Sequence, residues 1–288
     1  MKKVNFFIVG AAKAGTTSIF DTLDQHPKIF FPNDKEPHFF GDQRPRGKKG
    51  LYNTFADYMR LFEKADKGQS CGEASTAYLY SETAPVEIYR HNPDAKILIL
   101  LRNPVDRAYS LYWHHRRDFT EHFSFEDALD YEERRISEKD GFGFHYLKSG
   151  LYHDQIERYL KIFGEKNVKV ILFEEICNSY SETIQTICDF LSVEVNFDYS
   201  QGISNKSGVH KNKLIAYFFA SNNWFRCTLK FLLPESFARY RIKIVQKNLV
   251  KSPPMRPETH AALTTYFTKD LKKLEKLLNK DLSHWYKA

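Results

Sequence analysis

The sequence predicts an α/β fold, a P-loop-containing parallel sheet flanked by helices on both faces. Three observations carry that prediction. Short apolar runs rich in Ile, Val and Phe alternate with stretches of helical spacing, the pattern of strand–helix–strand units. The first apolar run passes through a small-residue loop bounded by glycines into a helix, the arrangement that cradles phosphate. The chain has 288 residues, 42% of them hydrophobic, enough to bury a large core. Residues 1–288 read as a single domain, with no internal repeat and no linker-like stretch.

The elements follow in order. Val4 to Val9 is a short buried strand. Thr16 to Gln25 is a helix that sets Ile19, Phe20 and Leu23 on its apolar side. Ile29 to Phe31 is a second short strand, stopped by Pro32. Gly41 to Gly50 is a polar surface loop carrying Arg44, Arg46, Lys48 and Lys49. Lys96 to Leu101 is the most strand-like segment. Pro104 then suits the first position of a helix that runs to about Arg116. Tyr152 to Phe163 places Ile156, Tyr159, Leu160 and Phe163 on one face, and Val168 to Phe173 is the strand after it. Asn222 to Leu249 mixes aromatic and basic residues, as a helical pair on the sheet would. From Pro257 to about Asn279, Leu263, Phe267, Leu271, Leu274 and Leu278 recur at three- and four-residue steps. Lys269, Lys272, Lys273 and Lys276 fall on the wet side of that helix.

Composition removes several classes. Aromatic residues make up 15% of the chain, which excludes a disordered chain, and 13 Gly with 11 Pro are too few for a collagen-like one. Cys71, Cys177, Cys188 and Cys227 form no CxxC pair, so neither zinc spacing nor a disulfide framework is present. They read as reduced thiols in a reducing compartment, which places the chain in the cytoplasm. Lys2, Lys3 and the apolar run after them imitate a signal peptide, but a glycine turn interrupts the run, and a buried first strand explains it better. No stretch approaches the ~18 apolar residues of a membrane span. A net charge of +7 fits an anionic partner without identifying it. A nucleic-acid module is allowed by that charge, but no aromatic-basic recognition motif is legible.

The chemistry-bearing residues begin at Gly10-Ala11-Ala12-Lys13-Ala14-Gly15-Thr16-Thr17. The interval from Gly10 to Gly15 matches the start of a Walker A loop. The lysine that a nucleoside-triphosphate hydrolase needs after the second glycine is replaced by Thr16. Lys13 sits inside the loop instead, where it would reach a group attached to the first phosphate. Lys96 to Leu101 ends in Arg102 rather than in a magnesium-holding acid, and arginine there suits a bare anion. An atypical P-loop kinase or NTPase is therefore the weaker alternative. Arg102 and Ser110, eight residues apart across a strand–helix junction, can share one anion. An Arg102–Asp106 pair capping the helix is the bland alternative. Glu36 taken alone reads as a surface partner of Lys35.

Together these segments resemble the sulfotransferases that use 3′-phosphoadenosine 5′-phosphosulfate (PAPS). Ala11 to Thr17 looks like their 5′-phosphosulfate loop. Leu101-Arg102-Asn103-Pro104-Val105-Asp106-Arg107-Ala108-Tyr109-Ser110 looks like their 3′-phosphate motif. Lys35-Glu36-Pro37-His38-Phe39-Phe40 resembles a segment of the branch holding heparan sulfate sulfotransferases and bacterial relatives. Gly150-Leu151-Tyr152 and Leu282-Ser283-His284-Trp285 extend the similarity in order. The resemblance implies a sulfotransferase-like fold and a metal-independent transfer from PAPS that leaves adenosine 3′,5′-bisphosphate. It implies that Ala12, Lys13, Ala14, Gly15, Thr16 and Thr17 surround the 5′-phosphate, with Lys13 bridging to the sulfuryl group. It implies that Arg102 and Ser110 hold the 3′-phosphate, that Glu36 is the general base and that His38 is the runner-up base. Gly208 and Lys211, within Asn205 to Lys213, fall where the family closes a loop over the cofactor. Gly72-Glu73-Ala74 departs from the glycosaminoglycan enzymes, which carry Lys where Ala74 stands. That weakens the expectation of a heparan-like polyanion and leaves a small alcohol or amine, a glycolipid or another glycan open as acceptor. Gly41 to Gly50 and Phe119 to Phe144 are the expected specificity loops, and the oligomeric state stays open.

Overall fold

The structure is a computed structural model that describes residues 3–43, 52–195, 197, 199, 209–211 and 249–287. Its centre is a five-stranded sheet in the order β2-β3-β1-β4-β5. The strands are β1 (Phe6–Gly10), β2 (Ile29–Phe30), β3 (Ser70–Ala74), β4 (Lys96–Leu101) and β5 (Val168–Leu172). Every pairing is parallel, with Phe6 opposite Gly72 on one side and Lys96 on the other. Phe6, Phe7, Ile8 and Val9 are all fully buried, as are Ile97 to Leu101. Strands covered on both faces do not alternate, so continuous apolar runs are what such a sheet requires.

Helices flank the sheet: α1 (Thr16–Leu23), α2 (Phe55–Arg60), α3 (Ala84–His91), α4 (Pro104–Arg117), α5 (Phe125–Asp130) and α6 (Glu132–Ser137). They continue with α7 (Tyr152–Phe163), α8 (Phe173–Asn178), α9 (Tyr180–Leu191) and α10 (Pro257–Leu278). A small antiparallel pair, β6 (Val209–His210) with β7 (Leu249–Val250), lies beside α4. The apolar stripe of α10 turns Leu263, Phe267, Leu271 and Leu274 inward, where the helix packs on α7. Lys269, Lys272, Lys273 and Lys276 are exposed. Among the described residues, no helix is long and apolar enough to cross a membrane.

β3 was not among the strands that periodicity predicts. Ser70-Cys71-Gly72-Glu73-Ala74 has little β-branched or aromatic character, and tertiary fit places it. A Cβ at Gly72 would lie 2.2 Å from Phe6 Cζ, so the glycine is what lets the aromatic ring of β1 cross its neighbour. Cys71 and Cys188 are buried thiols, whereas Cys177 is exposed; Cys227 and the aromatic-basic stretch 222–248 lie outside the described residues. The loop cations Arg44, Arg46, Lys48 and Lys49 also lie outside them.

Candidate active site

The carboxyl ends of β1, β3 and β4 converge, the usual binding edge of an open α/β sheet. At the end of β1 the chain turns through Gly10 to Gly15. Ala11 N–H donates to Leu100 O at 2.6 Å, tying the loop to β4, and Ala14 N–H donates to Ala11 O at 3.2 Å. Lys13 and Gly15 both have left-handed backbones, with φ of 71° and 89°. Gly15 is the N-cap of α1, and no side chain caps that helix. Its first amides are therefore available to an anion, with the helix dipole behind them. A Cβ on Gly15 would sit 3.2 Å from Ile176 Cδ1, so α8 leaves room for little more than glycine.

A cleft of about 750 Å³ opens here. Ala12, Lys13, Gly15, Thr16 and Thr17 line it, together with Glu36, Arg102 and Ser110. The phosphate loop, the strand-end arginine and the carboxylate, drawn from three separate segments, thus share one concavity. Ala14 and His38 are not in the lining: Ala14 is buried within the loop and His38 lies behind Glu36. Gly208 lies outside the described residues, and Lys211, directly after β6, is exposed and is not in the cleft lining.

Arg102 is held from two sides. Its guanidinium stands 4.8 Å from the centroid of the Phe173 ring, and its Nη1 donates to Lys13 O at 3.4 Å. The helix after it is capped by Asn103, whose side chain accepts from Val105 N–H, while Asp106 is exposed. The capping role that an Arg102–Asp106 pair would play is filled by Asn103. The two outlying motifs buttress this junction. Tyr152 Oη donates to Arg102 O at 2.9 Å, and Asn103 Nδ2 donates to Trp285 O at 3.4 Å.

Lys13 is mostly buried, and burial pulls its pKa down to about 8, with Arg117 and Arg102 adding to the depression. An ammonium so poorly compensated is primed to gain from a bound anion. Glu36 lines the same cleft. Thr76 Oγ1 donates to its Oε1 at 3.2 Å, and His38 Nε2 lies 3.2 Å from its Oε2. Burial pushes the Glu36 carboxyl up, but the bonds and charge of His38, with Lys35 and Thr76, outweigh it and hold the pKa below the usual value. The Glu36 side chain is 32% exposed and that of His38 only 1%, so the carboxylate is the member of the pair that a cleft ligand can touch. Lys35 turns toward α1, donating to Thr17 Oγ1 at 2.6 Å.

Sequence reasoning missed the rest of the wall: His114, His115 and Arg117 at the end of α4, with Thr120 and Gly141 to Phe144 facing them. Burial and the nearby Lys13 charge push His114 down to about 3, so it is neutral at physiological pH. The signal was present as Trp113-His114-His115-Arg116-Arg117, one turn past Ser110 on the helix that already carried a motif. Phe119 to Phe144, expected to shape specificity, does supply part of the wall. Among the described residues, no three His, Cys, Asp or Glu side chains gather as a metal site.

A family model described as "Sulfotransferase domain" matches residues 3–214. The human "Bifunctional heparan sulfate N-deacetylase/N-sulfotransferase 3" is 27% identical over 280 residues, spanning 96% of this chain and 30% of that protein. The mouse "Heparan sulfate glucosamine 3-O-sulfotransferase 6" is 27% identical over 192 residues, spanning 65% of this chain and 52% of that protein. The chain therefore spans only about a third to a half of the length of these curated relatives. A solved sulfotransferase from Alicyclobacillus acidocaldarius superposes with a TM-score of 0.77 at 34% identity, covering 99% of both chains.

Proposed function

The chain belongs to the sulfotransferase family, and from that premise we propose that it moves a sulfuryl group from PAPS to a hydroxyl or amine of a small-molecule, glycan or glycolipid acceptor. The observation that carries this reading is the single cleft shared by Lys13, Thr16, Thr17, Arg102, Ser110 and Glu36. The residues present fit such a donor. An uncapped helix N-terminus with two hydroxyls suits one phosphate, an arginine with a serine suits a second, and the cleft has the size of a nucleotide site. PAPS, when bound, supplies the sulfuryl group and a phosphate oxygen as leaving group. Residues 1–288 act together in this reading as one catalytic unit.

The chain's own residues then divide the work. The α1 amides with Thr16 and Thr17 hold the 5′-phosphate, and Arg102 with Ser110 holds the 3′-phosphate. Lys13 stabilises negative charge at the leaving oxygen, a task for which its burial suits it, because a cation acts more strongly where water is excluded. Glu36 receives the proton of the attacking hydroxyl or amine, and His38 steadies the carboxylate from behind. By analogy with phosphoryl transfer, the protein contributes mainly positioning and electrostatics. Two curated relatives carry heparan sulfate in their names, which favours a sugar among acceptors; Ala74 keeps smaller alcohols and amines in the proposal.

The test is transfer of radiolabelled sulfate from PAPS to a panel of alcohols, amines, glycans and glycolipids. Label should move to at least one of these without added magnesium and stay in the donor with Lys13→Ala. Label that stays in the donor throughout, with ATP and magnesium giving a larger rise in Tm than adenosine 3′,5′-bisphosphate, would return the kinase reading.

A further inference from the structure

Behind Glu36 lies a buried carboxylate that the mechanism above does not use. Glu73, on β3, is fully buried. Two hydroxyls bind it: Tyr58 Oη donates to its Oε2 at 2.5 Å, and Ser75 Oγ donates to its Oε1 at 2.6 Å. Ser75 turns its oxygen to the segment that carries the candidate base, accepting from His38 N–H at 3.1 Å, and on the same segment Tyr78 Oη accepts from Phe40 N–H at 3.1 Å. The same segment is bound further by Glu36 N–H donating to Ala74 O at 3.0 Å and by Thr76 Oγ1 on the Glu36 carboxylate.

The polarity of this network matters. Burial pushes the Glu73 carboxyl up, against the pull of the Ser75 and Tyr58 hydroxyls. With its hydrogen given to Glu73 Oε1, the Ser75 hydroxyl keeps its lone pairs for the amide of His38. The segment needs such fixing, because Glu36 and His38 adopt left-handed backbones, with φ of 60° and 50°. Non-glycine residues hold that conformation only where their surroundings over-determine it. His38 in turn touches Glu36 Oε2 through Nε2.

We propose that Glu73 is a positioning residue: through Ser75 it orients the Glu36–His38 pair and so sets where the candidate base presents its carboxylate. The proposal rests on the reading of Glu36 as proton acceptor, but its geometric half stands on its own. Glu73→Gln keeps the shape and must present an amide N–H₂ to one of the hydroxyls, reversing the donor direction along that branch. Ser75→Ala removes one branch outright.

The experiment titrates the ¹³C-labelled Glu36 carboxyl by NMR, assigned by its loss in Glu36→Gln. The groups whose charge reaches the Glu36–His38 pair are Lys35 on its own segment, Lys13 in the same cleft and Glu73 on the strand packed against it. Ser75→Ala keeps the Glu73 carboxyl in place, and in it the Glu36 midpoint should rise by roughly half a pH unit or more, as the bonds that depress it loosen. Glu73→Gln is read by turnover, because loss of a carboxyl near the pair would by itself lower the midpoint. With an acceptor from the transfer panel, kcat should fall about tenfold in either variant with KM within about twofold, and Glu73→Gln should add nothing to Glu36→Gln. An unmoved midpoint in Ser75→Ala, or losses that multiply in the double variant, would overturn the proposal. A midpoint that moves in a chain whose Tm does not respond to adenosine 3′,5′-bisphosphate would uphold the positioning and overturn the donor reading instead.

Discussion

The two walls of the cleft are built differently. The donor wall is made of two local pieces, the loop with the start of α1 and the end of β4 with α4, and the backbone itself makes the anion cradle around Gly15 and α1. The acceptor wall is assembled over distance. Glu36 to Phe40 is fixed by Ala74, Ser75, Thr76 and Tyr78, some forty residues away, and the Glu36 carboxylate takes its setting from that packing. The difference teaches that each donor piece takes its shape from its own strand–helix junction, whereas the base takes its place from a buried polar network in which each unmet group is costly.

Perturbations of the two walls should separate accordingly. The largest effect is expected from Lys13→Ala, which removes the buried cation and should cost about 10²- to 10³-fold in kcat while the circular dichroism spectrum stays unchanged. Next comes Glu36→Gln, expected to cost about 10²-fold in kcat and to leave the Tm response to adenosine 3′,5′-bisphosphate intact. If His38→Ala is inactive while Glu36→Gln is fully active, the order of the pair is reversed. Arg102→Lys keeps the charge but loses the planar fork and its stacking on Phe173, and should weaken adenosine 3′,5′-bisphosphate binding by about tenfold in calorimetry. The smallest effect is set by pH. With Lys13 at about 8 in the free chain, its ammonium is fully present well below that pH and lost as the pH rises through it. Affinity for adenosine 3′,5′-bisphosphate should therefore fall about fourfold between pH 7 and pH 8.5, and binding near pH 8 should take up protons from the buffer. No such fall is expected in Lys13→Met.

What was legible follows the same division. Lys96 to Leu101 and Tyr152 to Phe163 stand where periodicity put them, because the first is covered on both faces and the second has one apolar face. β1 shifts by a residue or two, since Gly10 still pairs with β4 before the loop turns away. β3 was illegible, because its strand character comes from Phe6 filling the space over Gly72 rather than from its own side chains. At the candidate site, Lys13, Thr16, Thr17 and Arg102 stand out by their place in the strand–loop–helix pattern, whereas Ser110 needed a family resemblance. Glu36 needed a family resemblance, since alone it reads as a partner for Lys35. His114, His115 and Arg117 were passed over, because a basic run at a helix end is also what the helix dipole favours on any surface. Glu73 gave no signal, as nothing local says that the Tyr58 and Ser75 hydroxyls will meet it.

The central claim is that two motifs grip opposite ends of one nucleotide. The most direct measurement compares the rise in Tm given by adenosine 3′,5′-bisphosphate with that given by adenosine 5′-monophosphate, without magnesium, in the unaltered chain and in Arg102→Ala. The account predicts a clearly larger rise for the bisphosphate in the unaltered chain, shrinking to that of the monophosphate once Arg102 is gone. Equal rises for both nucleotides in the unaltered chain, or a bisphosphate advantage that survives Arg102→Ala in full, would contradict it.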